Sequence, residues 1–288
     1  MAEIISVLAN LATLIFVISS MLALGLSLTV QQIIQPLKNV NLVARALTVN
    51  FVLVPLVAYL LKTVIPLDPS LGVGLILLAT AAGAPFLPKL AQAAKADVAF
   101  SVGLMVLLMV VTVVYVPLVL PLLLPGVAVN PLDIARSLII LMLIPLAIGL
   151  VMKARYPDIA TSLQPQMAQA STVSLLAVFV LMLVLNFRTM IAAIGSGAII
   201  TAIIFILVAL ALGYFLGPTP ATRPVMGLGT AQRNIAAAMV VATGNFSDDP
   251  NVLTMILVGA LLMLVILMPA AGELGKRAAQ LNRSENQA

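Results

Sequence analysis

The run Gly229-Thr230-Ala231-Gln232-Arg233-Asn234 puts four polar side chains inside an otherwise apolar stretch. Arg233 stands nine residues beyond Pro224, where that stretch begins. That is too deep for an anchor at a helix end. An arginine at mid-membrane costs about 3 kcal/mol on insertion scales, so its presence marks a functional candidate. No Asp or Glu lies in the middle of an apolar segment, and the nearest is Asp97, at the start of one. A guanidinium without a carboxylate leaves room for a substrate anion, which it can grip through two parallel hydrogen bonds. The structural alternative is that Arg233 ties together backbone carbonyls of a broken helix. Lys89, just past Pro85 and Pro88, is a second candidate cation, read first as a lysine that snorkels to the inner surface.

The surrounding elements must be membrane helices. Of 288 residues, 63% are apolar and 8% charged, with a mean hydropathy of +1.24. A soluble domain carries about a quarter charged residues. Cys, His and Trp are absent, which removes disulfides, thiolate metal sites, cysteine nucleophiles and imidazole bases. There is no P-loop, no nucleophile–base pair and no metal cluster, so no enzymatic activity, metal or cofactor is expected. The net charge of +5 is read as a positive-inside bias and not as a nucleic-acid footprint. The expected partners are the lipid bilayer and a small organic anion.

About 20 apolar residues cross the hydrocarbon, and charges with Pro/Gly clusters cut the chain into nine such units. They are Ile4 to about Val30, Val40–Leu61, the stretch after Asp68-Pro69, and Asp97 to about Leu124. Then follow Pro131–Met152, Pro165–Asn186, Ile194–Leu216, Pro224–Phe246 and Pro250–Gly272. The first lacks a basic flank and a cleavage site, so it is counted as a span and not as a secretory signal. With the N-terminus outside, inner segments hold Lys38, Arg45, Lys89, Lys95, Lys153, Arg155, Arg223, Lys276, Arg277 and Arg283. Outer segments hold Lys62, Arg136 and Arg188. The bias predicts an external N-terminus and a cytoplasmic C-terminus in a plasma or inner membrane.

The third and eighth spans alone are interrupted in mid-course, at Gly83-Ala84-Pro85…Pro88 and around Gly227–Asn234. Each is preceded by two spans and followed by one. The offset of five gives the two sets opposite orientations, the pattern of an inverted-repeat transporter with its site where the broken helices meet. The predicted units are residues 1–126 (spans one to four), 127–156 (linking span five), 157–272 (spans six to nine) and a solvated, frayed tail, 273–288. Asn50 and Asn186 are read as interhelical hydrogen-bond partners.

Three stretches carry a family resemblance: Ala23–Thr29 (Ala-Leu-Gly-Leu-Ser-Leu-Thr), Lys95–Val102 (Lys-Ala-Asp-Val-Ala-Phe-Ser-Val), and Gln232-Arg233-Asn234 with the small-residue helix to Phe246. The chain resembles the bile acid:sodium symporter family in a nine-span form, with Arg-Asn in the second broken helix. The resemblance implies an all-α membrane protein with two discontinuous crossing helices. A core of spans two to four and seven to nine would move against a panel of spans one, five and six. It adds Ser101 to the candidate substrate-binding set of Lys89, Thr230, Gln232, Arg233 and Asn234.

Sodium-coupled members of that family carry Ser-Asn where this chain has Leu87 and Pro88, and a hydroxyl where it has Met105. They carry a glutamate where it has Gly229 and a glutamine where it has Arg233. The scaffold is kept and the sodium ligands are not. Arsenite exporters of the same broad fold use a cysteine that is absent here. The reading is an alternating-access secondary transporter of small organic anions, with Arg233 replacing sodium. A Na⁺-coupled symporter and a non-transporting membrane sensor are the alternatives.

Overall fold

The computed structural model describes residues 2–34, 38–124, 130–185 and 195–285, and every regular element among them is helical. Helix α1 spans Ala2–Ser27, followed by the short α2, Val30–Ile34. Helices α3 (Val40–Thr48) and α4 (Val54–Val64) form one rod joined by a π-helical turn, Val49–Leu53. Helix α5 is Pro69–Thr80, α6 is Leu87–Ala93 and α7 is Val98–Leu123. A second rod joins α8 (Pro131–Leu138) to α9 (Ile144–Arg155) through the π-helical turn Ile139–Leu143. Then come α10 (Pro157–Leu185), α11 (Ala198–Leu216), α12 (Arg223–Ala231), α13 (Ile235–Asn245) and α14 (Pro250–Glu285).

Local sequence explains the starts. Asn39, Asp68, Asp97, Asn130 and Asn234 each cap a helix by accepting a backbone N–H, filling part of the first turn's unmet need. Proline follows the cap of α5 and of α8, where a missing N–H costs nothing. Prolines inside a rod act differently. Pro55 cannot donate to the carbonyl of Phe51, four residues back. The Tyr115 hydroxyl takes that carbonyl at 2.6 Å, and the two rings pack 4.8 Å apart. Pro145 likewise follows the second π-helical turn.

Among the described residues, six helices are long and apolar enough to cross a membrane: Val7–Ser27, Val40–Val64, Val98–Leu123, Pro131–Arg155, Ala198–Leu216 and Pro250–Gln280. The exposed side of α7 is a stripe of Val110, Val114, Leu118 and Leu122 at every fourth residue. Such a face is stable against lipid and not against water. Helix α1 packs along α9 and α10, while α5 packs on α14 and α7, and α11 on α12. The approach of α1 to α9 is backbone-close. A Cβ at Gly25 would run into the Leu146 carbonyl oxygen, and Gly149 faces it.

Some boundaries differ from those read in the sequence. The sixth predicted span starts earlier, at Pro157, with Pro165 inside the helix. The tail from Glu273 is not frayed as far as Glu285 but continues α14. Its Leu, Lys, Arg, Ala and Gln favour helix. Gly275 also lets it pack directly on the Ala93 carbonyl. Asn186, Arg188 and the Pro125-Gly126 stop lie outside the described residues.

Candidate functional site at the two helix breaks

Both predicted interruptions are present. The first separates α5 from α6 at residues 81–86, and the second separates α12 from α13 at Gln232, Arg233 and Asn234. The second is thus confined to the C-terminal edge of the stretch expected from sequence. At the first, Gly83 adopts φ +81°, and a Cβ there would collide with the Met109 backbone of α7. Only glycine fits that turn without strain.

The breaks meet, and each satisfies the other's backbone. The Asn234 N–H donates to the Ala81 carbonyl at 2.8 Å, and its side-chain Nδ2 donates to the Gly83 carbonyl at 3.0 Å. The same side chain's Oδ1 caps α13 through the Ala237 N–H. Thr112 of α7 accepts from the Ala82 N–H at 3.0 Å and donates back to the Ala82 carbonyl at 3.1 Å. Buried non-helical backbone needs such partners, because an apolar surrounding offers none.

Arg233 lies at the centre, with no solvent-exposed surface. Its Nε donates to the Leu78 carbonyl (3.1 Å) and Nη2 to the Ala79 carbonyl (2.7 Å), both in the last turn of α5. Nη1 donates to the Thr230 carbonyl (2.9 Å), near the end of α12, and to Oδ1 of Asn50 (2.8 Å) in the π-helical turn. Four of the five guanidinium N–H groups are therefore committed to protein oxygens. Each helix C-terminus carries about half a negative charge. Two such ends meet one guanidinium and offset part of its charge.

Of the other predicted site residues, Thr230 and Gln232 lie at the crossing, while Ser101 and Lys89 are engaged elsewhere. Thr230 is buried, and its hydroxyl accepts from Asn50 Nδ2 at 3.3 Å. Ser101 is buried and donates to its own helix at Val98. Lys89 is exposed, with its ammonium 5.7 Å from the Phe86 ring centre. Gln232 is 7% exposed, and its Oε1 has no hydrogen-bond partner. In this conformation Arg233, Asn234, Gln232 and Thr230 share the crossing, and Ser101 is spent on its own backbone. Among the described residues no group of three His, Cys, Asp or Glu comes together.

Two of the positions that the resemblance assigns to sodium ligands, Gly229 and Leu87, face each other, and their contact is carbon. A Cβ on Gly229 would sit 2.9 Å from Leu87 Cδ2 and 3.2 Å from Leu104 Cδ2. Leu87, Leu104 and Met105 are all buried. Asn50 is the interhelical hydrogen-bond partner expected from sequence, through Arg233 and Thr230; Thr112 and Tyr115 carried no signal in the sequence.

The sodium bile acid symporter family model matches residues 14–193. The chain belongs to that family of membrane transporters. The first break lies inside the matched region, and the second lies beyond it. A curated relative, the probable sodium/metabolite cotransporter BASS3, chloroplastic, of Arabidopsis thaliana, is 28% identical over 205 residues, which cover 70% of this chain. The match spans 47% of that relative's length.

Proposed function

We propose that this protein is a secondary carrier of small organic anions that works by alternating access, with Arg233 standing where symporters of the family bind sodium. The observation behind this is the guanidinium's choice of partners. In transporters with discontinuous helices, half-helix C-terminal ends and unwound carbonyls coordinate the coupling cation. Here the Leu78, Ala79 and Thr230 carbonyls and the Asn50 oxygen surround a cation that is covalently part of the chain. A tethered charge cannot dissociate, so it stores no energy from an ion gradient.

The remaining parts follow from that role. Nine spans include the six continuous helices, α10 and the two interrupted pairs, with the N-terminus outside. The panel of α1, α8, α9 and α10 supports rocking of the remaining helices, and the packing of α1 on α9 and α10 agrees with this division. Cargo enters beside the crossing, where Nη2 of Arg233 has one N–H beyond its bond to the Ala79 carbonyl for the anionic group. The unpartnered Gln232 oxygen can accept from a hydroxyl or amide of the cargo. The N-terminal end of α13 adds a positive dipole end to attract an anion.

The second reading, a Na⁺-coupled symporter, is favoured by the family and by the relative's description as a sodium/metabolite cotransporter. Uptake of a panel of organic anions into proteoliposomes, with Na⁺ or K⁺ outside, separates the two. Uptake that is saturable and equal in both salts supports the tethered cation. Uptake that collapses without Na⁺ establishes the symporter, and binding without uptake establishes a sensor.

A further inference from the structure

Away from the crossing, a cavity of about 320 Å³ opens between the end of α6 and the C-terminal extension of α14. Its walls are Ala93, Gly272, Gly275 and Ala279, whose small side chains leave the space open, with Lys95, Lys276 and Gln280 as its polar groups. We propose that this cavity binds a phosphate-bearing anion, held there as the headgroup of an anionic lipid.

Two ammonium groups bring only donors, and the Gln280 amide adds two more. An occupant should therefore be negative and rich in acceptors, as a phosphodiester is. Two acidic groups lie close in sequence. Asp97, two residues from Lys95, accepts from the Phe100 N–H as the cap of α7. Glu273 pairs with Lys276 at 2.6 Å, and both of these side chains are well exposed. An exposed pair of that kind is worth little and yields readily to a stronger anion.

Helix α14 rises about 1.5 Å per residue. Gly272, 22 residues beyond Pro250, is then about 33 Å along the axis, against a hydrocarbon core of about 30 Å. The cavity therefore falls at headgroup level. Basic pockets between membrane helices at this level are suited to anionic headgroups.

Lys95 has φ +50° and is the one non-glycine residue with positive φ among those described. It closes α6 with the Ala96 N–H on the Ala91 carbonyl (2.9 Å) and the Lys95 N–H on the Gln92 carbonyl (3.1 Å). Glycine is the usual residue at this position, and a lysine there is strained. The ammonium it brings to the cavity wall gives that strain a purpose. This inference is independent of the role of Arg233 and of any sodium dependence.

The test uses the full chain in nanodiscs of phosphatidylcholine, with and without a minor fraction of phosphatidylglycerol. Wild type, Lys95→Gly, Lys276→Gln and the double variant are compared by thermal unfolding and by lipid retention in native mass spectrometry. Lys95→Gly relieves the strained φ while removing the charge, so a folding defect is not expected, and unfolding in pure phosphatidylcholine checks this. Wild type should be stabilised by phosphatidylglycerol, and the double variant should retain that lipid at least about tenfold less. Equal retention by wild type and double variant, or no preference for phosphatidylglycerol, overturns the proposal. A further arm adds inorganic phosphate in place of the lipid. An equal stabilisation by phosphate, lost in the double variant, overturns the lipid assignment and leaves a soluble phosphate ester as the occupant.

Discussion

Nη1 of Arg233 lies 2.8 Å from Oδ1 of Asn50, a hydrogen bond between residues 183 positions apart in the chain. Asn50 sits in a π-helical turn, and its amide also donates to the Thr230 hydroxyl at 3.3 Å and to the Ala46 carbonyl at 3.0 Å. Widened turns of this kind are frequent at functional sites. One asparagine thus joins the second span to the end of α12 and orients the guanidinium toward α5.

Removing the guanidinium should be costly. Arg233→Ala strands three buried carbonyls and Asn50 Oδ1, each worth about 1–3 kcal/mol when left unmet. A loss of at least about 3 kcal/mol of stability is expected, read as a lowered unfolding temperature in detergent. Arg233→Lys should recover only part of it, because an ammonium cannot span the same forked set of acceptors. An unchanged unfolding temperature in Arg233→Ala would show that the carbonyls find other partners.

Asn50→Asp keeps an acceptor facing Nη1 and neutralises the guanidinium, at the cost of the amide's bonds to the Ala46 carbonyl and the Thr230 hydroxyl. The protein should fold, yet its affinity for an organic anion should fall by at least about tenfold, or 1.4 kcal/mol. Binding by calorimetry or thermal shift, with unfolding temperature as the control, reads both parts. Undiminished affinity would mean that the Arg233 charge does not act on cargo.

Sodium should be dispensable for binding, changing affinity by less than about threefold when K⁺ replaces it at constant ionic strength. Converting the site needs more than two substitutions. A glutamate at Gly229 points its Cβ at Leu87 Cδ2, so Gly229→Glu with Arg233→Gln should fold poorly. Adding Leu87→Ser supplies space and an oxygen, and this triple variant is the one expected to acquire Na⁺-dependent stabilisation. Sodium stabilisation of the wild type would overturn the tethered-cation reading.

Gly83→Ala should be among the most damaging single-methyl changes. It forces a side chain into φ +81° and against the Met109 backbone of α7, which cannot give way as a side-chain tip would. A loss of about 2 kcal/mol or more is expected. Gly244→Ala is the control, since a Cβ there meets nothing within 4 Å. Comparable unfolding temperatures for the two variants would refute the packing argument.

Apolar runs, capping residues and breaks were legible in the residues alone. Asp68-Pro69, Asp97 and Asn130-Pro131 start helices through contacts with their own next turn, and Gly83 with Pro85 cannot continue one. These are local effects, set within a few residues by sterics and backbone hydrogen bonding. A buried arginine without a local acid was equally legible as an anomaly of composition. What occupies its donors was not, because the Leu78 and Ala79 carbonyls are more than 150 residues away and a carbonyl leaves no mark in a sequence. Thr112 and Tyr115 were silent for the same reason, since a hydroxyl in an apolar helix reads alike whether it bonds its own turn or a distant break. Only the packing of α5, α7, α12 and the α3–α4 rod decided which unpaired backbone groups each polar side chain would reach.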